Sequence, residues 1–435
     1  MKIKNKGNIR DLFVGLNERV CDCNGECIDG INFDNAATTP PLKSNISVIK
    51  NMSKIYASIG RGTGQKAEIS TNLYNESRDY LLNYFNIKNK DDYIVVYVKN
   101  TTEGINKLSK ILPKERSDEV IISSRMEHHS NDLPWRNRGE VDYIEIDEYG
   151  RLKLEELEDK LKKNLGKVKY VSLTGASNVI GYINDIHYIA QIVHRYNAKL
   201  IVDGAQLVPH RKINLSGKSK DEQIDFLIFS SHKIYSPFGI GVIIGLKEDF
   251  NLGKPDYIGG GTVELVLDNQ ITYLNPPDAY EAGTPNFLGV MSLIHSLEVL
   301  DDIGFDYIED HEDKLLKATM KGLSDIPKVI NYGDTEFIDD RLGICTFNIE
   351  NMHHRDVAEI LAKRKGISVR HGWFCAHPYC RRLMNATEEE AKAFLENPNK
   401  KMLGMIRVSF GLYNTLKEVH IFLNVLEDIC NGKFN

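Results

Sequence analysis

Long apolar runs are missing from this chain of 435 residues, since none approaches the roughly 20 residues needed to cross a bilayer. The start, Met1-Lys2-Ile3-Lys4-Asn5-Lys6, leads into no apolar signal core, so a cytoplasmic protein with no membrane partner is expected. An excess of basic charge is missing too. Lys and Arg number 55 against 61 Asp and Glu, a net charge of −6. With both signs interspersed there is no basic footprint for a phosphate backbone, and no nucleic acid partner is expected. Cysteine is scarce, seven in all, and an odd number with no signal peptide in view argues for reduced thiols instead of a disulfide framework. Internal repeats and low-complexity tracts are absent. What remains is an ordinary globular composition, 42% hydrophobic and 27% charged, in a chain long enough that two cores are expected.

Short apolar or β-branched runs recur from about residue 93, with helical segments between them: Tyr93–Val98, Glu119–Ser123, Asp142–Ile146, Val168–Leu173, Lys199–Asp203, Asp225–Phe229 and Ile240–Leu246. Seven such runs predict an α/β fold with a mostly parallel sheet and helices on both faces. The clearest helix precedes Lys199, with Ile186, Ile189, Ile192, Val193 and Tyr196 at helical spacing and Asn184 or Asp185 as its cap. Past about residue 290 the β-runs thin out and charged helices lengthen. Strands are expected near Leu342–Ile349, Ile367–Arg370 and Ile406–Leu412, and an amphipathic helix over Leu416 to Ile429. The expected division is a Cys-containing N-terminal extension at 1–30, a large domain at 31–290 and a smaller α+β domain at 291–435.

Ligands of open α/β sheets bind beyond the carboxyl ends of the strands, so the residues after each run carry the chemistry. After Val98, Asn100-Thr101-Thr102-Glu103-Gly104 forms a strand-to-helix turn whose amides and hydroxyls suit an anion. Later strand ends bring Glu127-His128-His129-Ser130-Asn131, Ser177-Asn178, Asp203-Gly204-Ala205-Gln206 and Ser230-Ser231-His232-Lys233. Singly, a strand-end Asp is a helix cap and a lone His a core side chain. Together they supply a phosphate cradle, a flat ring for stacking, a carboxylate, two amide donors and a lysine. That is the set pyridoxal 5′-phosphate needs.

From Phe33-Asp34-Asn35-Ala36-Ala37-Thr38 to Arg407-Val408-Ser409-Phe410-Gly411-Leu412-Tyr413-Asn414 the sequence resembles class V aminotransferase-fold enzymes, pyridoxal-phosphate proteins of fold type I. Within them it is similar to group II (SUF-like) cysteine desulfurases and selenocysteine lyases. The strand-end segments above carry the likeness, with Ser177-Asn178-Val179-Ile180-Gly181 and Glu281-Ala282-Gly283-Thr284-Pro285-Asn286. The resemblance implies that Lys233 holds the cofactor's aldehyde, Asp203 pairs with the pyridine nitrogen and His128 stacks on the ring at the reacting centre. It implies that Asn178 and Gln206 bond the phenolic oxygen. Thr102, Ser230 and His232 hold the phosphate, with Thr101 beside them. Thr284 reaches the cofactor of the neighbouring subunit, so a homodimer with shared sites is implied.

The segment Arg370-His371-Gly372-Trp373-Phe374-Cys375-Ala376-His377-Pro378 resembles the second-group pattern of Arg, Gly, then Cys-Ala-x-Pro. The likeness implies that the Cys375 thiolate attacks the sulfur of L-cysteine, or the selenium of L-selenocysteine, leaving a persulfide and alanine. Arg407 is assigned to the substrate carboxylate, with Arg370 and Asn178 assisting. Arg370, His371 and His377 are expected to supply positive charge to the thiol, and a sulfur-acceptor protein is an implied partner. Cys380 reads as a bystander, Cys345 and Cys430 as buried filler. The sequence departs from the family at Gly60-Arg61-Gly62, where an imidazole is missing, and in bulky Trp373, Phe374 and Phe287-Leu288, which predict a more apolar entrance. Rival readings are a selenocysteine lyase, an aminotransferase-like enzyme in which Cys375 is structural, and a sulfur-transfer scaffold dependent on a partner. Cys21, Cys23 and Cys27 lack a clear fourth ligand, so no metal is assigned, and a zinc site, a cluster, a relay and an incidental tail stay open.

Overall fold

Seven strands make the central sheet: β1 (Tyr93–Val98), β2 (Val120–Ser124), β3 (Glu140–Ile144), β4 (Val168–Thr174), β5 (Lys199–Asp203), β6 (Phe226–Ser230) and β7 (Gly241–Leu246). Their order in the computed structural model is β1-β7-β6-β5-β4-β2-β3, parallel throughout except β7, which runs antiparallel to both neighbours. The structure describes residues 8–16, 18–21, 27–60, 62–397 and 401–433. The seven strands are the seven runs expected from the sequence, displaced by at most two residues at their ends.

Burial on both faces explains those runs. Every residue of β1, β2 and β6 is buried. Val95 and Tyr97 pack with Leu81 and Leu82 of the helix Gln65–Tyr84, while Ile94, Val96 and Val98 pack on the opposite face with Ile105 and Leu108 of the helix Thr101–Ile111. With no solvated face, nothing selects alternating polar residues. Each such side chain contributes roughly 1.5–3 kcal/mol on burial. The helix Ile186–His194 is capped by Asp185, whose side chain accepts from the Tyr188 N–H, and it ends before Tyr196.

A second, antiparallel sheet is built from β8 (Val329–Asn331), β9 (Ile344–Ile349), β10 (Arg370–Gly372) and β11 (Met405–Ser409), in the order β8-β9-β11-β10. The helices Phe305–Asp325, His354–Lys365 and Leu416–Cys430 cover it through a core that includes Leu316, Phe347, Leu361, Val408 and Phe422. The strand expected over Ile367–Arg370 is divided. Ile367–Ser368 pairs in parallel with Ile31–Asn32, and the chain then crosses so that Arg370–Gly372 joins β11.

Near the N-terminus, Phe13 is buried between the rings of Tyr235 and Tyr413, at 4.9 and 5.2 Å, and Arg10 pairs with Glu418 at 2.7 Å. The expectation of wholly reduced thiols fails at Cys27, which is disulfide-bonded. The physical reason is local: Arg19–Cys21 pairs antiparallel with Cys27–Asp29, which sets the backbone of Cys21 opposite that of Cys27. Cys23 and the side chain of Cys21 lie outside the described residues. Cys345, Cys375, Cys380 and Cys430 are free thiols.

Candidate active site

The carboxyl ends of β1, β2, β4, β5 and β6 open on one cavity of about 200 Å³, closed on its other side by Arg370, Phe374, Cys375 and Arg407 from the second sheet and the loop after it. Parallel strands deliver their polar end-residues to one edge, which is why segments scattered over more than 130 residues meet there.

One wall is built for an anion. Asn100 caps the helix Thr101–Ile111, its side chain accepting from the Glu103 N–H at 3.0 Å, so the positive end of the helix faces the cavity. The Thr101 N–H donates to Ser230 Oγ at 2.8 Å, and the Thr102 and Ser130 hydroxyls lie 2.6 Å apart. Gly241 allows this packing, because a Cβ there would stand 2.6 Å from the Asn100 Cα. The His232 carbonyl accepts from the hydroxyls of Thr38 and Thr39, at 3.1 and 3.0 Å, and burial with Lys233 nearby lowers the ring's pKa to about 4.

The middle holds the titratable groups. Lys233 is half-buried at the cavity, and its pKa falls to about 8 because loss of water around it disfavours the ammonium more than Asp203 favours it. Asp203 is buried. Its carboxylate accepts from the Ala205 N–H at 2.9 Å, and burial raises its pKa against the pull of Lys233. His128 is driven down to about 3, by burial first and then by Lys233, and its Nδ1 accepts from the Ser130 N–H at 3.1 Å. It is a neutral, flat ring. Gln206 spends one Nε2 hydrogen on the Ala36 carbonyl at 2.8 Å, and its Oε1 is buried without a partner.

The far wall carries the thiol. Arg370 on β10 stands directly across from Arg407 on β11. Arg407 is 2% exposed; it donates to Asp34 Oδ1 at 3.0 Å and to the Asn178 carbonyl at 2.8 Å, with its guanidinium 5.1 Å over the Phe374 ring. Arg370 Nη1 is 3.5 Å from Asp34 Oδ2 and half-exposed. Cys375 is exposed, and both it and Phe374 hold left-handed backbone, with φ of 54° and 50°. Asn178 Nδ2 donates to the Phe374 carbonyl at 2.7 Å and the His129 N–H to the Cys375 carbonyl at 2.6 Å.

Residues 31–422 match the family model for class V aminotransferases. The chain belongs to the class V aminotransferase family. It is 34% identical over 413 residues to a Pyrococcus abyssi protein named "Probable cysteine desulfurase", covering 92% of this chain and 94% of that one. A Halalkalibacterium halodurans protein of the same name is 32% identical, with 97% of each chain covered. The apo structure of a cysteine desulfurase from Thermococcus onnurineus NA1 superposes with a TM-score of 0.81 at 32% identity, over 93% of this chain and 95% of that one. Members of the family are pyridoxal-phosphate enzymes, and so is this chain. The cavity fits that group: a buried carboxylate and a half-buried lysine share it, an amide oxygen is unpartnered, and hydroxyls meet at a helix start.

Not every expected residue of this class V enzyme lies in the cavity. Thr284 lines a separate groove with Arg78, Glu281 and Gly283. His371 turns away, its Nδ1 3.2 Å from that of His354 and the two rings stacked, because alternate residues of β10 face opposite sides. Trp373 does not widen an apolar entrance but is buried among Met126, Val179 and Tyr379, and Phe287 is fully inside the main core; only Phe374 reaches the cavity. Cys380 is buried and donates to the Trp373 carbonyl at 3.2 Å, and burial pushes its pKa up. Arg61 lies outside the described residues. Sequence reasoning passed over Asp34, which aims both arginines. It also passed over Glu127, which accepts from Asn131 Nδ2 at 2.7 Å and the Thr174 N–H at 3.1 Å, tying the ends of β2 and β4; burial raises its pKa to about 8. Both sit inside the segments that carry the family likeness. Among the described residues no helix is long and apolar enough to cross a membrane.

Proposed function

We propose that the chain is a cysteine desulfurase that takes sulfur from L-cysteine as a persulfide on Cys375 and releases L-alanine. The observation that carries this reading is an exposed thiol opening on the same cavity as Lys233 and buried Asp203. Transamination needs no thiol there. Relatives named for this activity, at 34% and 32% identity over nearly the whole chain, support it.

When bound, the pyridoxal group withdraws electrons from the substrate's Cα. Asp203 would hold the proton of the pyridine nitrogen, His128 would stack on the ring, and Asn178 and Gln206 would bond the phenolic oxygen. Thr101, Thr102, Ser230 and His232 would hold the phosphate. Arg407, with Arg370, grips the amino acid's carboxylate in a planar, bidentate way. Lys233 Nζ, already inclined to the neutral amine, removes the Cα proton. The Cys375 thiolate then attacks the substrate sulfur. An S–S bond forms, the Cβ–S bond breaks with its pair left on Cβ, and protonation at Cβ and Cα gives alanine. Two chains pair so that Thr284 reaches the neighbouring site, and an acceptor protein takes the sulfur from Cys375.

L-Selenocysteine is the competing substrate, since shape alone separates sulfur from selenium weakly. Alanine formation from L-cysteine and from L-selenocysteine, in the wild type and in Cys375→Ala, tests the reading. Cysteine turnover that disappears in the variant is the expected result. Turnover of selenocysteine alone would make the chain a selenocysteine lyase, and no alanine from either would return it to aminotransferase chemistry.

A further inference from the structure

We infer that His129 is a positioning residue for the Cys375 thiol, its ring capping the helix that follows the cysteine while its backbone holds the cysteine's own carbonyl. The sequence here explains why a cap from elsewhere is needed. The loop 373–376 turns through two left-handed residues and runs directly into the helix His377–Leu383. Ala376 precedes that helix and has no side chain to accept a bond, and Pro378 has no N–H to offer. The His377 N–H therefore has no partner within its own helix. It donates to His129 Nε2 at 3.2 Å, across 248 residues of chain.

The same residue grips the loop a second time, where its backbone N–H donates to the Cys375 carbonyl at 2.6 Å. The His377 ring stands edge-on to the His129 ring at 4.5 Å and lies 5.0 Å from the Trp373 ring, so it is packed between the two. Left-handed backbone at a non-glycine residue costs of order 1–3 kcal/mol and persists only where neighbours over-determine it. For Phe374 and Cys375 the neighbours that do so are Asn178 and His129. An Nε2 that accepts requires a neutral ring with its proton on Nδ1. Burial lowers the His129 pKa, with His377 and Arg136 acting the same way and Asp132 opposing.

The inference rests on the desulfurase reading only for its activity readout. In the cofactor-loaded enzyme, His129→Leu removes the acceptor and His129→Gln keeps one within reach. His129→Leu is expected to raise hydrogen exchange in the peptide 370–382 by about fivefold. It is also expected to lower kcat for alanine formation by about tenfold, with KM and the visible absorbance little changed. His129→Gln should restore both. Unchanged exchange in His129→Leu, or equal damage in His129→Gln, overturns the inference. If the wild type forms no alanine, the desulfurase reading falls while the exchange comparison still decides the role of His129.

Discussion

Asp34 and Arg407 are 373 residues apart in the chain, and Arg407 Nη2 donates to Asp34 Oδ1 at 3.0 Å. The other oxygen of Asp34 faces Arg370, so one carboxylate sets the direction of both guanidinium groups at the cavity wall. Asp34→Asn keeps the shape and removes the charge. The KM for the amino acid is expected to rise about tenfold, equivalent to about 1.4 kcal/mol, with the visible absorbance unchanged. Because Arg407 is left buried without its counter-charge, unfolding in urea should require roughly 3 kcal/mol less. An unchanged KM would mean that Asp34 does not aim the arginines.

Lys233 is held at a pKa of about 8 by burial, against about 10.4 for a free lysine. Only the neutral amine attacks an aldehyde, so in the cofactor-free chain capture of added pyridoxal phosphate should quicken as pH rises through about 8 and level off above it. Growth of the visible band measures this, and Lys233→Ala should show no band. A rate still climbing near pH 10 would place Lys233 in a wetter environment than the structure gives it.

Among the described residues Cys375 is an exposed free thiol, while Cys345, Cys380 and Cys430 are buried. Burial also pushes the Cys345 pKa up to about 12 and raises that of Cys380. Alkylation by iodoacetamide in the folded protein, mapped by mass spectrometry, should therefore mark Cys375 and leave these three until denaturant is added. Early labelling of Cys380 would reopen it as a relay thiol.

The sheet and the cavity were legible in the sequence for one physical reason: a parallel strand buried on both faces is a bare apolar run, and the polar residues after it all arrive at the same edge. The seven runs became β1 to β7, and Thr101, His128, Asn178, Asp203, Ser230 and Lys233 line one cavity. Pairings made across hundreds of residues left no local trace. Asp34 looks like any loop carboxylate until β11 brings Arg407 to it, and His129 looks like a neighbour of His128 until the Cys375 loop closes on it. Side-chain direction was hidden in the same way. His371 stands four residues before the thiol, yet the alternation of β10 sends it to His354, and Trp373 points into the body instead of the entrance.

Phe13 ties the start of the chain to the segment that carries Lys233. Its ring packs on Tyr235, two residues after Lys233, and Tyr235 itself holds a left-handed φ of 58°. The Tyr235 N–H donates to Thr39 Oγ1 at 2.9 Å and its hydroxyl accepts from the Leu412 N–H at 3.0 Å, so the residue is pinned from three directions. Phe13→Ala empties one of them. The loss of a buried aromatic costs about 3–5 kcal/mol, which should lower the urea midpoint without changing the slope of the transition. Slackening at Tyr235 should also loosen Lys233, so the variant is expected to give up its cofactor faster on dialysis than the wild type does. A variant that loses stability but keeps its cofactor as tightly as before would confine Phe13 to packing.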